Sequence, residues 1–212
     1  MNIWTKAFVG LVVFSIAGSA LSSATSLDPG PIKPVASVLT IGVGVIALAR
    51  MAKWWQVAAV VAIGAAAEIC GIYTGLPFGR YEYTDRWWPT VLLPGDNRFP
   101  LLLPLAWFLI AGGCALAMRP SGKTALILAP LMATLIDFFM EPVMTRTLDY
   151  WRWLEPGPLP GGAPLLNPIG WFVTSILATV VLMKSRSKES SVDAGWVLSG
   201  YVCLIAGLWA VN

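Results

Sequence analysis

The 212-residue sequence contains no histidine. That absence excludes histidine-box di-iron hydroxylases and desaturases, haem held by a histidine, and zinc or copper centres built on imidazole. It also removes the side chain that most often moves protons near neutral pH, so proton chemistry falls to Asp, Glu, Tyr, Cys or Lys. Charge is scarce as well. Only 12% of residues are charged against 57% apolar, about half the charged fraction of a soluble domain. No run of Lys or Arg points to nucleic acid. No nucleotide fingerprint, phosphate loop or metal cluster is present, so neither cofactor nor metal is expected. The three cysteines (Cys70, Cys114 and Cys203) stand singly in apolar segments without a CxxC pair, and read as small buried hydrophobes.

What the chain has in abundance is apolar sequence. Its mean hydropathy is +0.73 and it holds 11 tryptophans. Seven apolar segments can be marked, at 7–24, 35–50, 55–75, 101–118, 124–144, 166–184 and 194–211. Each span needs about 20 residues, so the length allows one domain of six or seven spans. The expectation is an all-α, polytopic transmembrane bundle over residues 1–212, surrounded by the lipid bilayer. The first segment, with Lys6 ahead of it, could instead be a cleaved signal peptide.

Loop charges set the expected orientation. The N-terminus and alternate short connections carry Lys6, Arg50, Lys53, Arg119, Lys123, Lys184, Arg186 and Lys188, close to span ends. The opposite side carries Lys33, Arg80, Arg86, Arg98, Arg146 and Arg152. The positive-inside rule acts most strongly on short connections. It places the N-terminus inside and the C-terminus outside, in the cell membrane. Both long loops (76–100 and 145–165), rich in Pro, Gly and Trp, then face outward.

Three acids fall within apolar segments: Glu68 in AAAEICG, and Asp137 and Glu141 in LIDFFMEPV. A charge at the bilayer centre costs several kcal/mol, so such acids face the bundle interior, a wet cavity or a partner. Asp137 and Glu141 are four residues apart and share one helical face. Two carboxylates so close cannot comfortably both ionise in a low dielectric, so at least one stays protonated and can donate a proton. Pro142 frees the carbonyl of Phe138 one turn back. Three readings remain open at this point: structural pairing with Arg80, Arg146 or Arg152, a proton or ion path in a transporter, and catalysis.

Three stretches bear a family resemblance. Glu68, Gly71, Gly75 and the run Phe78-Gly79-Arg80-Tyr81-Glu82-Tyr83 resemble the E-x-x-G-x-x-x-G-x-x-F-G-x-Y-x-Y signature of the carotenoid-biosynthesis integral membrane family, which contains carotenoid 1,2-hydratases, including bacterioruberin-type hydratases. The DFFMEP run at 137–142, followed by YWRW at 150–153, is also similar. So is GGAPLLNPIGW at 161–171, which matches a Y-x-G-(I/V)-P-x-x-N-(F/Y)-x-G-W pattern. Together they cover about residues 68–171 in the family's order. Departures from it fall in three places. Glu141 precedes Pro142 where members often have Asp, Pro160-Gly161-Gly162 replaces Tyr-Tyr-Gly, and Pro168 replaces an aromatic.

The resemblance implies addition of water across the terminal C1–C2 double bond of an acyclic carotenoid end group, with water the only co-substrate. An isolated trisubstituted alkene is a very weak base, so a poorly solvated acid must protonate C2, and aromatic faces can hold the tertiary cation left at C1. The Asp137/Glu141 pair is expected to deliver the proton and Glu68 to orient or deprotonate the water, or the two roles to be exchanged. Tyr73, Phe78, Tyr81, Trp107, Trp151, Trp153 and Trp171 are candidate aromatics for the end group and cation. Asn167 could place the water through its amide. Gly71, Gly75 and Gly79 are expected to serve packing or turns. The same cation could instead lose a proton or be trapped by an alkene, giving an isomerase or a cyclase. A proton-coupled carrier of small lipophilic solutes would use the same acids as a relay. A retinal photoreceptor is disfavoured because the last segment has no lysine.

Overall fold

The computed structural model describes residues 1–25, 30, 32–183 and 191–211. Lys184, Arg186 and Lys188, which enter the expected orientation, lie outside the described residues. The chain forms helices α1 (Ile3–Ala24), α2 (Ile32–Ala49), α3 (Trp54–Thr74), α4 (Leu103–Trp107), α5 (Gly113–Met118), α6 (Ala125–Pro142), α7 (Leu166–Met183) and α8 (Ser191–Val211). Phe108–Gly112 is a π-helical turn that joins α4 to α5, and a second one, Val143–Thr147, extends α6.

Among the described residues, six helical stretches are long and apolar enough to cross a membrane. The difference from seven expected segments lies in the stretch Leu103–Thr147, 45 residues long, which contains two of them. It reverses at Gly122, whose backbone (φ 62°, ψ −133°) is open only to glycine. The legs on either side pack against each other.

Apolar side chains divide cleanly between two environments. On α6, Ile127, Leu131, Leu135 and Phe139 follow one another at four-residue spacing and are exposed. Ala129, Ala133, Asp137 and Glu141 occupy a buried row of the same helix. On α7 the exposed row is Ile169, Val173, Leu177 and Val180, against buried Asn167, Trp171, Ser175 and Ala178. This is amphipathicity turned over: the outer face is the greasy one, as lipid requires, and the small and polar residues point inward. The leg from Leu102 to Leu116 is buried almost throughout and forms the central post, contacted by α2, α3, α6, α7 and α8. Cys114 lies in that post, but Cys70 and Cys203 are exposed on the outer surface, contrary to the expectation that all three are buried.

α1 packs against α2 and α8. Its Phe8 is wholly buried and touches Gly44 and Gly200, where any Cβ would meet the ring. α3 is tied to α7 by Gln56, which is buried, accepts from Lys53 N (3.0 Å) and donates to the Val181 carbonyl (2.7 Å).

The two long loops fold into a cap. β1 (Tyr81–Tyr83) pairs antiparallel with β4 (Trp151–Trp153), and β2 (Thr90–Leu93) with β3 (Asn97–Pro100). In the first pair Tyr81 faces Trp153 and Tyr83 faces Trp151, while Glu82 faces Arg152 between them. Alternation along a strand therefore puts four aromatic rings on one face and the charges on the other. β1 sits over the end of α3, and β4 beside the end of α6.

The post leaves little room around it. A Cβ added at Gly64 of α3 would lie 2.5 Å from Cβ of Trp107, a position the indole cannot vacate. Gly64→Ala should lower unfolding stability by about 1–3 kcal/mol through overpacking. Gly42→Ala, with nothing within 4 Å, should stay within about 0.5 kcal/mol of the parent. Thermal melts in detergent followed by tryptophan fluorescence would read both.

Candidate active site

The site lies at the cap end of the bundle, where the last turns of α3 and α6 meet the first turns of α4 and α7. Glu68 stands six residues before the end of α3, and its neighbours on the same helical face are glycines at 64 and 71. Gly71 leaves the space through which the Tyr81 hydroxyl reaches the carboxyl, and a Cβ there would collide with that hydroxyl. Tyr81 donates to Glu68 Oε2 at 2.6 Å and Tyr83 to the same oxygen at 2.8 Å. Trp107 Nε1 donates to Oε1 at 2.8 Å. Burial, and then the nearby Glu68 charge, push both phenols well above their ordinary range, so both keep the protons they donate.

Asp137 and Glu141 project from successive turns of α6, and both are buried. Asn167, at the start of α7, bridges them. Its Nδ2 donates to Asp137 Oδ2 at 2.7 Å and to Glu141 Oε1 at 3.1 Å. Both amide hydrogens are thereby used on the acids. Glu141 Oε2 accepts from Trp153 Nε1 at 3.1 Å. Among the described residues, two buried polar atoms in the cavity wall have no hydrogen-bond partner: Asp137 Oδ1 and Trp87 Nε1.

Together these side chains enclose about 520 Å³ of unfilled space, mouth included. Glu68, Asp137 and Glu141 all line it, as do Phe78, Tyr81, Trp107, Trp151, Asn167 and Trp171. Trp107 and Trp171 stack with centroids 4.1 Å apart. Tyr81 and Tyr83 meet edge to face, with ring centroids 5.4 Å apart. Trp153 is not part of the lining and acts on the site through its bond to Glu141.

Tyr73 lies elsewhere. It is half exposed, and its hydroxyl donates to the Pro94 carbonyl at 3.0 Å. Five residues past Glu68, it is turned about 140° around α3 from the carboxyl. Several lining residues were not among the expected ones. Tyr83 continues the every-second-residue pattern of Tyr81, and Met140 and Met144 share the face of Asp137 at three- and seven-residue spacing. Those signals were readable. Tyr201 comes from a distant segment and carries no local signal, whereas Trp87 lies four residues past Tyr83 in the same loop and packs against its ring. Tyr201, on α8, donates only to the Met140 thioether, at 3.4 Å.

Among the described residues, no cation holds the acids. Arg80 pairs with Glu155 (3.9 Å) and Arg152 with Asp149 (2.7 Å), all toward solvent, and Arg146 is exposed. The guanidinium of Arg152 holds the Asp149 carboxyl below its usual range. Among the described residues no ion pair reaches Glu68, Asp137 or Glu141. A cavity with three carboxyls, aromatic walls and no counter-cation can deliver a proton to a neutral, apolar molecule and hold the cation that results.

The family model for carotenoid biosynthesis proteins matches residues 31–212. The chain belongs to that family. The match covers α2 to α8, the cap and every carboxyl of the cavity, and it makes the protein a carotenoid-related enzyme within a helical membrane bundle. An aromatic cavity inside lipid-facing helices is consistent with a carotenoid substrate. No curated protein and no solved structure matches the chain.

Asn167→Leu would leave both α6 carboxyls without their shared donor. The expected loss is about 1–3 kcal/mol of unfolding stability, the cost of stranding buried acceptors. Tyr73→Phe, away from the cavity, should shift stability by less than about 0.5 kcal/mol. Detergent melts of the two variants side by side provide the comparison.

Proposed function

We propose that the protein is a carotenoid 1,2-hydratase that adds water to the terminal C1–C2 double bond of an acyclic carotenoid end group. The observation that carries this reading is the pairing of Asp137 and Glu141 across one asparagine amide, with Asp137 Oδ1 unpartnered in an aromatic cavity. A hydroxyl proton on that oxygen has no internal acceptor and is available to the alkene. Geometry therefore favours Asp137 as the acid and Glu141 as its ionised partner.

In this mechanism the end group enters between Phe78, Trp107 and Trp171, and Asp137 transfers its proton to C2. The π electrons of the double bond form the new C–H bond, leaving a tertiary cation at C1. The indole and phenol faces hold the cation without trapping it covalently, since their quadrupoles present negative charge. A water oxygen then bonds to C1 and gives its extra proton to Glu141. Transfer between the two carboxyls restores the starting state, so only water is consumed. Trp87 Nε1, buried and unpartnered in the wall, is a donor that a water oxygen can accept from.

Isomerisation and cyclisation share the first step and differ in the fate of the cation, and the transporter reading would need no product at all. Expression in a host that accumulates lycopene or a C50 precursor, with mass analysis of the pigments, separates these outcomes. The expected result is a gain of one water per modified end. Products of unchanged mass would instead mean isomerisation or cyclisation, and unaltered pigments would remove the enzymatic reading. Asp137→Asn should reduce turnover by at least about 100-fold while the protein still inserts and melts normally. Retained activity would show that the proton comes from another group.

A further inference from the structure

The cavity holds two carboxyl stations of opposite hydrogen-bond character. At α6, two acids share one amide, and one of their oxygens has no partner. At α3, a single acid takes three donors at 2.6–2.8 Å. One of the three is an indole N–H, which cannot accept a proton in return. A shell of three donors around two oxygens is complementary to a carboxylate rather than to a carboxylic acid. No cation neutralises it among the described residues.

A charge fixed in a low-dielectric interior acts over several ångströms. The groups that hold this one are all aromatic, and all three line the cavity. A phenol or indole that donates to an anion has a more electron-rich ring, and a richer ring binds a cation more strongly. The face of Trp107 is further backed by Trp171, stacked at 4.1 Å. A base for the attacking water, by contrast, must be open to that water, whereas the Glu68 oxygens are already crowded by donors.

Resting on the hydration reading, we infer that Glu68 is a fixed anion that stabilises the carbocation through Tyr81, Tyr83 and Trp107, and is not the base that deprotonates the water. It is a positioning residue: no proton enters or leaves it during the cycle. The proton that reaches C2 comes from the α6 pair, and the proton released by the captured water returns there.

The test separates formation of the cation from its capture. Full-length protein in detergent is given an acyclic carotenoid in deuterium oxide, and two products are followed: deuterium bound to carbon, and hydrate. A cation that sheds a proton instead of gaining water still largely keeps its deuterium, so deuterium on carbon counts cations. For Glu68→Gln, both signals should fall together by about 100-fold, the scale for removing a preorganised electrostatic group. Deuterium entering at the parent rate while hydrate is lost would overturn the inference and make Glu68 the base. Unchanged rates of both would overturn it as well. Tyr83→Phe keeps the ring and the carboxyl and removes one donor. It should lower both signals in parallel by about tenfold, and unchanged deuterium entry would again contradict the role. If the parent protein itself places no deuterium on carbon, the hydration reading fails, and this role with it.

Discussion

Carboxyl groups in an apolar bundle need hydrogen-bond donors, and here the donors are neutral. A buried carboxyl without partners would cost several kcal/mol, and no arginine or lysine among the described residues pairs with these three. The rest of the cap-end architecture follows from that requirement. Glu68 needs Tyr81 and Tyr83, so β1 must lie over the end of α3. Glu141 needs the Trp153 indole, so β4 must lie beside α6. The β1–β4 register, Tyr81 opposite Trp153, meets both needs at once. Glycines at 64 and 71 leave the gaps through which Trp107 and Tyr81 approach α3.

The same constraint separates the acids by chemistry. Three donors surround Glu68, while the α6 pair shares one amide and has one oxygen without a partner among the described residues. In the proposed mechanism this contrast lets one cavity host both a proton source and a fixed negative charge. Cation chemistry on a hydrocarbon needs both, plus walls that do not react. Phe78, Trp107, Trp151 and Trp171 supply those walls.

Much of this is legible in the amino-acid sequence. The helical membrane bundle follows from length, hydropathy and the scarcity of charge. The spacing of Asp137 and Glu141 placed them on one face, and the structure has them on one face. The three sequence stretches that resembled the carotenoid family lie within the matched residues. What local pattern could not show was long-range pairing. β1 and β4 are about 70 residues apart, so the cap strands looked like irregular loops. The expected segments at 101–118 and 124–144 are the two legs joined by the 3-10 turn Arg119–Thr124, in which the chain reverses at Gly122. Tyr73 looked equivalent to Tyr81 as an aromatic near Glu68, yet its helical phase turns it away, and Tyr201 entered the cavity from a helix with no motif at all.

In the proposed reaction an oxygen atom from water is added to an acyclic end group after acid protonation. The most direct measurement is turnover of an acyclic carotenoid by purified protein in water enriched in heavy oxygen, with the product's new hydroxyl read by mass spectrometry. The expected product carries one heavy oxygen per modified end, incorporated at the enrichment of the solvent. A hydroxyl carrying oxygen from dissolved dioxygen, or a product with no added oxygen, would contradict that reaction.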